Sequence, residues 1–534
     1  MSTTFTPASV DEVDTGRLDG ASRLRIFTVL AVIVLFTEVA PLQYTMVAAA
    51  LQKIAPSFPR EGANITWAMI VFGLVGAAAS PLIGKISDIW GKKRMFLLCG
   101  LFFLVGCIID AVTDNWALFL FGRALQAIAI ATQVVAYGLI RDLMPRKYVP
   151  LGLGVTATGL GFSSLLAPLV GGWLLENYSY HAIFWFLGGF MLLMTPFVLF
   201  VVPESPLRVN QSIDFIGAAL LAAGVTLTLI YLDKGQDWGW GRITTLAWLI
   251  GGLALLVAFV VVENLVPTPI MDMKLLFQPR VGLVLILGLF GAFIIGIQPY
   301  AMGYMTQTPS AAGIKATIVE HTQAEIIKMT GHPLPESIIH VTLDPEFHYG
   351  SGFTLLQYAW HIAVASSLAA MIFGALAGAF TRKIGARLPL VAALIIFVAS
   401  GITYALAPYS VPTYLVVGII FGAGIGMYFA TTPILIVEAV PQEQQGISVG
   451  MLGVVGSMGT AIGLAIATAF LNANPINATV EVMGTKQTVP VPSVFADHGY
   501  TLGFWFAAAG AAVALVLTLV MRHGRTPATG GTAH

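Results

Sequence analysis

Long apolar runs alternate with short polar breaks along nearly the whole chain. Fourteen runs approach or exceed the ~20 residues that cross the hydrocarbon core of a bilayer. They cover 26–51, 66–84, 95–113, 116–140, 150–174, 181–202, 213–232, 243–262, 281–305, 353–380, 388–408, 412–436, 447–471 and 500–521, numbered here as segments 1 to 14. The pattern predicts an all-α integral membrane protein of fourteen transmembrane helices. The first run is too long for a signal-peptide core and lacks a convincing cleavage context, so it is expected to remain as a helix.

Most breaks are short, which forces neighbouring helices to run antiparallel. Two are long, 306–352 and 472–499. The first predicts an amphipathic helix around 312–330, then an extended stretch broken by proline. The second predicts a hairpin, because Thr479-Val480-Glu481-Val482 and Thr488-Val489-Pro490-Val491 alternate about a turn near Gly484. Each offers an apolar face to bury, so together they are expected to form an ordered cap outside the membrane.

Composition sharpens the class. Of 534 residues 57% are hydrophobic and only 10% charged, against about a quarter charged in soluble chains. Net charge is zero, which gives no case for a nucleic-acid partner. Cys99 and Cys107 lie two turns apart on segment 3, too distant to pair, and are expected to pack as small apolar residues. His321, His332, His340 and His348 in the first long loop lack metal-site spacing and read as solvated.

Charge sets the orientation. An even number of spans puts both termini on one side. With that side cytoplasmic, inner breaks and tails hold 18 Lys and Arg against 7 outside, the last of the 26 being Arg123 within segment 4. Basic residues are retained inside, so residues 1–24 and 523–534 are expected to be cytoplasmic tails, the first disordered, on a multi-pass protein of the plasma membrane.

The break between segments 2 and 3 reads Gly84-Lys85-Ile86-Ser87-Asp88-Ile89-Trp90-Gly91-Lys92-Lys93-Arg94. Gly84 permits close backbone approach and Gly91 a tight turn, while Asp88 is placed to pair with the basic run or a helix start. This loop resembles that of the major facilitator superfamily between helices 2 and 3, Gly-x-x-x-Asp-x-x-Gly-[Arg/Lys]-[Arg/Lys], matched by Gly84, Asp88, Gly91, Lys92 and Lys93. Gly378-x-x-x-Arg382-x-x-Gly385-x-Arg387 echoes it 294 positions later, and Glu438-Ala439-Val440-Pro441 echoes Asp142-Leu143-Met144-Pro145 after 296. Two echoes at nearly one offset suggest parallel duplicated halves, as in this superfamily.

Six plus two plus six helices resembles the fourteen-helix drug:proton antiporter branch. The implied organisation is a six-helix bundle over 25–205, an inserted helix pair over 206–270 and a second bundle over 271–522, the bundles enclosing a central cavity and the pair packing outside. Asp214-Phe215-Ile216-Gly217, Gly235-x-x-Trp238-Gly239-Trp240, Pro267-x-Pro269 and Leu275-x-Phe277 strengthen the resemblance. Ala167-Pro168-Leu169-Val170-Gly171-Gly172 in segment 5 resembles the antiporter motif Gly-Pro-x-x-Gly-Gly, which implies export. Pro168 would bend the helix, and Gly171 and Gly172 would allow close packing. Gly453, Gly456, Gly459 and Gly463 in segment 13, with Gly374 and Gly378 in segment 10, are expected to mark helix packing.

Charges within hydrocarbon are costly and usually face a cavity or a partner. Glu38 is central in segment 1. Arg123 and Gln126 in segment 4 resemble the family's Arg-x-x-Gln-Gly, with Ala127 for the Gly, and the resemblance gives that Arg an influence on proton transfer. The branch has an Asp in helix 1 where the alignment of Ala50-Leu51-Gln52 places Gln43. Glu38 lies five positions earlier, about 7 Å nearer the cytoplasm. Gln43 cannot carry a proton, so Glu38 has taken over, or coupling runs differently, or it is absent. A direct Glu38–Arg123 bridge is not expected, because Arg123 is nearer the level of Gln43. Asp110 is the second proton candidate, although an interfacial place is the plainer reading. Gln43, Gln126 and His361 are polar candidates for the cavity, a satisfied buried ring being the plainer reading of His361.

The resemblance implies a secondary exporter of hydrophobic or amphiphilic, drug-like molecules, working by alternating access and proton antiport. The proton gradient would be its energy source, with no cofactor. A lipid or glycolipid exporter is the alternative, and the long outer loops would then guide a lipid or dock an extracytoplasmic partner. No paired intramembrane nucleophile and base, zinc motif or phosphate loop supports an enzyme. With the transporter facing outward, Asp88 is expected to meet the second half near segments 12 and 13.

Overall fold

Every apolar run is helical in the computed structural model, which describes residues 18–54, 57–58, 67–208, 214–266, 273, 278–332, 335, 338–441, 445–482 and 484–527. Within a bilayer only internal bonds satisfy the backbone, so long apolar stretches fold this way. Segment 1 is Arg23–Thr37 followed by Val39–Ile54, segment 2 Trp67–Trp90 and segment 3 Lys92–Val112. Segment 4 is Trp116–Ala127 and Thr132–Leu143 joined by a tighter turn, segment 5 Val149–Asn177 and segment 6 His181–Val201. Phe215–Trp238 and Ile243–Leu265 are segments 7 and 8. Segment 9 is Pro279–Gly291 and Phe293–Gln307, and segment 10 ends in Val364–Ile384. Arg387–Leu406, Val411–Ala439, Gln445–Asn472 and Asp497–Val520 complete the series.

Among the described residues, eleven helices are long and apolar enough to cross a membrane, covering every segment except 2, 5 and 7. The protein is therefore a multi-pass membrane protein. The break in segment 1 has a local cause. Pro41 has no N–H to offer the Thr37 carbonyl, and the helix is interrupted at Glu38 between them. The Thr37 hydroxyl donates back to the Val34 carbonyl at 2.6 Å.

The two halves of the chain meet along two seams. Segment 5 lies along segments 10 and 12, and segment 2 lies along segment 13. Segment 7 covers the second seam, touching both segment 2 and segment 13. Its Ala218, Leu221 and Val225 pack with Leu82 of segment 2 and Met451 and Val454 of segment 13. Close approach depends on glycine where backbone meets backbone. A Cβ on Gly422 or Gly426 of segment 12 would collide with segment 10 at Ser366 or Ala370, and one on Gly459 or Gly463 with segment 9 at Leu289 or Phe293. Gly453 and Gly456 face open space, so the packing expectation fails at those two. Gly374 and Gly378 are buried.

The two long loops fold together at one end of the molecule, the cap end. The helix Ala311–Thr330 precedes β1 (Ile339–Asp344), which pairs with β2 (Pro475–Val482), which pairs with β3 (Thr485–Phe495), all antiparallel. Val341 stands opposite Val480 and Thr479 opposite Thr488. Gly484 turns the hairpin at φ +83°. The Tyr349 phenol ties the loops together, donating to the Phe495 carbonyl at 2.8 Å and accepting the Phe495 N–H at 3.2 Å. His348 is exposed, 2.9 Å from the Asp497 carboxylate, and that hydrogen bond raises its pKa above the ordinary imidazole value.

At the opposite, basic end the chain is anchored where it leaves the helices. The Leu18 N–H donates to the Leu143 carbonyl at 2.8 Å, and segment 1 begins at Arg23 behind a Ser22 cap. His523 donates to the Leu435 carbonyl at 2.9 Å, and Gly524 accepts the Arg387 N–H at 3.0 Å. Residues 1–17 and 528–534 lie outside the described residues, as do Pro267-x-Pro269 and Leu275-x-Phe277.

Candidate functional site

Two polar clusters stand out, one at the basic end and one inside the first half. The first begins where segment 2 turns into segment 3. Gly91 makes that turn at φ +113°, with the Glu204 carboxylate against its Cα, where a side chain would be crowded as well as strained. Glu204 accepts the Lys93 N–H at 2.9 Å. Lys92, at the head of segment 3, reaches Asp88 at 2.8 Å and Asp142 at 3.0 Å. Asp142 is wholly buried and also accepts Arg141 at 2.5 Å and Ser205 at 2.7 Å. Arg141 donates onward to Gln445 of segment 13 at 2.9 Å, and the Gln445 amide is anchored on the Val437 carbonyl at 2.9 Å.

This chain of bonds runs from the first half of the protein to the second. In this arrangement the Asp88 carboxylate is held by Lys92. Asp88 pairs within its own half, and the longer side chain of Arg141 makes the crossing. Arg141, Ser205, Glu204 and Gln445 escaped the sequence reading. Asp142 carried a signal, the echo at Glu438, whereas nothing marks Gln445 until the halves are folded. A cavity of about 400 Å³ opens beside Trp90, Arg94 and Arg208. None of the buried acids lines it, so it is not the site.

The second cluster contains every charge that the sequence places in segments 1, 3 and 4. Glu38 is fully buried at the break in segment 1. Ser163 of segment 5 donates to its Oε2 at 2.7 Å and also lies 3.0 Å from its carbonyl. Its Oε1 has no hydrogen-bond partner. Arg123 is equally buried; its Nε donates to the Ala68 carbonyl at 2.8 Å, one terminal nitrogen donates to Gln126 at 2.7 Å, and its guanidinium sits 5.0 Å over the Phe72 ring. Gln126 takes a second donor from Gln43 at 2.9 Å and donates to Asp110 at 2.8 Å. Glu38 and Arg123 are not bonded, in keeping with their different depths.

Asp110, two residues from the end of segment 3, has no exposed surface. Gly106 and Gly122 face each other across segments 3 and 4, where a Cβ on either would strike the other helix. That approach sinks the Asp110 carboxylate between the helices. His361 is not the buried ring expected. It lies in a wide turn, Ala359–Ala363, is exposed, donates to the Gln357 carbonyl at 2.7 Å and stacks on Phe353.

Pro168 is buried within segment 5. A Cβ on Gly171 would lie 3.4 Å from Met46 of segment 1, and one on Gly172 would lie 3.5 Å from Leu356 at the start of segment 10. The motif therefore sits where segments 1, 5 and 10 meet, but at ordinary contact distances.

Comparison with known proteins agrees with the geometry. A family model described as Major Facilitator Superfamily matches residues 33–319 and 333–533. The uncharacterised MFS-type transporter YvkA of Bacillus subtilis is 29% identical over 204 residues, 38% of this chain and 46% of that protein. Multidrug resistance protein 3 of the same organism is 27% identical over 230 residues, 43% of this chain and 45% of that protein. The efflux pump dotC of Dothistroma septosporum is 28% identical over 277 residues, 50% of this chain and 47% of the pump. The chain spans about half the length of these curated relatives. The crystal structure of the human organic anion transporter MFSD10 (TETRAN) superposes with a TM-score of 0.58 over 92% of this chain and 99% of that one, at 16% identity. A likeness at that identity speaks for the fold alone.

Proposed function

The chain belongs to the major facilitator superfamily, and on that footing we propose that it exports hydrophobic or amphiphilic small molecules by alternating access and proton antiport. Its architecture is then two six-helix bundles, segments 1–6 and 9–14, around a central path, with segments 7 and 8 as an inserted pair outside. The basic end is cytoplasmic, both tails lie there, and the membrane is the plasma membrane.

The observation that carries this reading is Glu38. A carboxylic acid, wholly buried, sits at the break in segment 1, its Oε2 accepting the Ser163 hydroxyl of segment 5. No cation is paired with it among the described residues. An acid so placed binds a proton when sealed and releases it when water or a cation reaches it. Meanwhile the Asp88–Lys92–Asp142–Arg141–Gln445 chain ties the halves at the basic end, as a gate that opens when the halves part. Segment 5 carries Pro168, Gly171 and Gly172 at the junction with segments 1 and 10, where the halves would move.

The test is ethidium-driven proton flux in liposomes containing the purified protein, with Glu38→Gln alongside. Coupled flux that Glu38→Gln removes supports the reading; ethidium transport without proton movement overturns it. The ordered cap built from both long loops favours a second reading, export of a lipid or glycolipid. Removing 306–352 and 472–499 should then impair a lipid substrate more than a small cation.

A further inference from the structure

Asp110 is a buried acid that the Glu38 reading leaves unused. We propose that Asp110 is a second proton-binding station, held at one amide's distance from Arg123 by Gln126 as its positioning residue. The proposal rests on the antiport reading and adds a site to it.

The argument starts from Arg123. Its guanidinium is wholly buried, yet the groups it touches are neutral: the Ala68 carbonyl, the Gln126 amide oxygen, the Met69 sulfur and the Phe72 ring. A buried cation with no anion near it costs several kcal/mol. The acid that answers it is Asp110, one residue removed. Gln126 fixes this arrangement. Its oxygen accepts both Arg123 and Gln43, so its NH₂ is the end left to face Asp110 Oδ2.

The other carboxylate oxygen of Asp110 is the opening for a proton. Oδ1 lies against the Cα of Gly122 and accepts no hydrogen bond. An ionised carboxylate has about four acceptor sites to satisfy, and here one donor is in place. The carboxylate therefore has two workable states. Ionised, it balances Arg123 through the Gln126 amide. Protonated, it leaves Arg123 as an unbalanced charge. One O–H bond forms on Asp110 as the proton arrives and breaks as it leaves, with no other change in bonding.

That single charge is felt widely. Arg123 ties segment 4 to segment 2, and Gln126 ties segment 4 to segments 1 and 3. The groups that face the station are Arg123, Gln126 and Gln43, Cys107 one turn back on segment 3, Tyr44 on segment 1 beside Arg123, and Tyr180 with Asp114 toward the cap end. Gln43 is a neutral strut in this scheme, which explains how segment 1 functions without an acid at that level.

The experiment uses the full-length protein, with ethidium as probe and carboxyl infrared absorption as a second readout. In liposomes, Asp110→Asn should keep ethidium binding but lose about tenfold or more of the pH-driven flux. In the infrared, a protonated-carboxyl band that titrates in the wild type should vanish in Asp110→Asn. Gln126→Ala keeps the acid but loosens its tie to Arg123, so the midpoint of that band should move by about one pH unit, a tenfold change in proton affinity. Wild-type flux and pH profile in Asp110→Asn would overturn the station. If that variant does not fold, an unmoved midpoint in Gln126→Ala overturns it instead. Wild-type protein that moves ethidium without protons would overturn the antiport reading. The infrared band, read with no substrate present, decides the station separately.

Discussion

The basic-end cluster and the interior cluster solve opposite problems with the same residue types. At the basic end, Asp88, Lys92, Asp142 and Arg141 alternate in sign and touch directly, at 2.5 to 3.0 Å. In the interior, Glu38 has a hydroxyl for its partner, and Asp110 and Arg123 are kept apart by an amide. Direct pairing fixes every charge, because removing one member strands another in a buried place. Separation by neutral groups leaves protonation free to change. One region is built to hold a position, the other to hold or release a proton.

This contrast can be broken from either side. The largest effect is expected at Glu38. Glu38→Gln keeps the shape and the Ser163 contact but removes the proton, so proton-driven export should fall by about tenfold or more, the usual scale for a lost proton-transfer group, with ethidium binding retained. Normal uphill transport by that variant would remove the distinction between the clusters.

Asp142→Asn comes next. It leaves Lys92 and Arg141 buried with less compensation, at a cost of about 3–5 kcal/mol. The expected sign is reduced thermal stability in detergent together with reduced transport, unlike Glu38→Gln, which should spare stability. Asp88→Asn should do the same more mildly, because Lys92 keeps Asp142 at 3.0 Å. If Asp88→Asn and Asp142→Asn transport equally well, the chain of pairs is ornament rather than gate.

Gln445→Ala sharpens the comparison further. It removes an acceptor of Arg141 in the second half and should cost about 1–3 kcal/mol, the loss of a hydrogen bond to a charged group. Thiol labelling of a cysteine placed at Val440 should then speed up, as the basic end opens more often. Unchanged labelling would show that Arg141 does not latch the halves.

The smallest effect is expected for a third, exposed pair at the cap. His348 gains affinity for its proton from Asp497 in the folded state. Its contribution to stability is therefore present below the ordinary imidazole pKa and lost as pH rises through the raised folded value. NMR titration of His348 in wild type and Asp497→Asn checks this; the variant should return to the ordinary range, with little change in melting temperature.

The sequence by itself determined the helices, because membrane-length apolar runs have no other way to satisfy their backbone. It also located Asp88, Lys92, Glu38, Arg123 and Gln126, since a charge or a motif in such a run stands out against its neighbours. The hairpin of the second long loop was visible in its alternation, and Gly484 turns it as that pattern predicts. What the chain could not state was who meets whom. The enclosure of Asp110 by protein depends on Gly106 and Gly122, which matter only once segments 3 and 4 touch. Gln445 is one glutamine among several until folding carries it across 304 positions to Arg141. His361 reads as a buried ring, and only the folded surface shows it exposed. Periodicity and charge are local quantities, written residue by residue. Burial and partnership are properties of two surfaces at once, and only the tertiary structure brings both surfaces together.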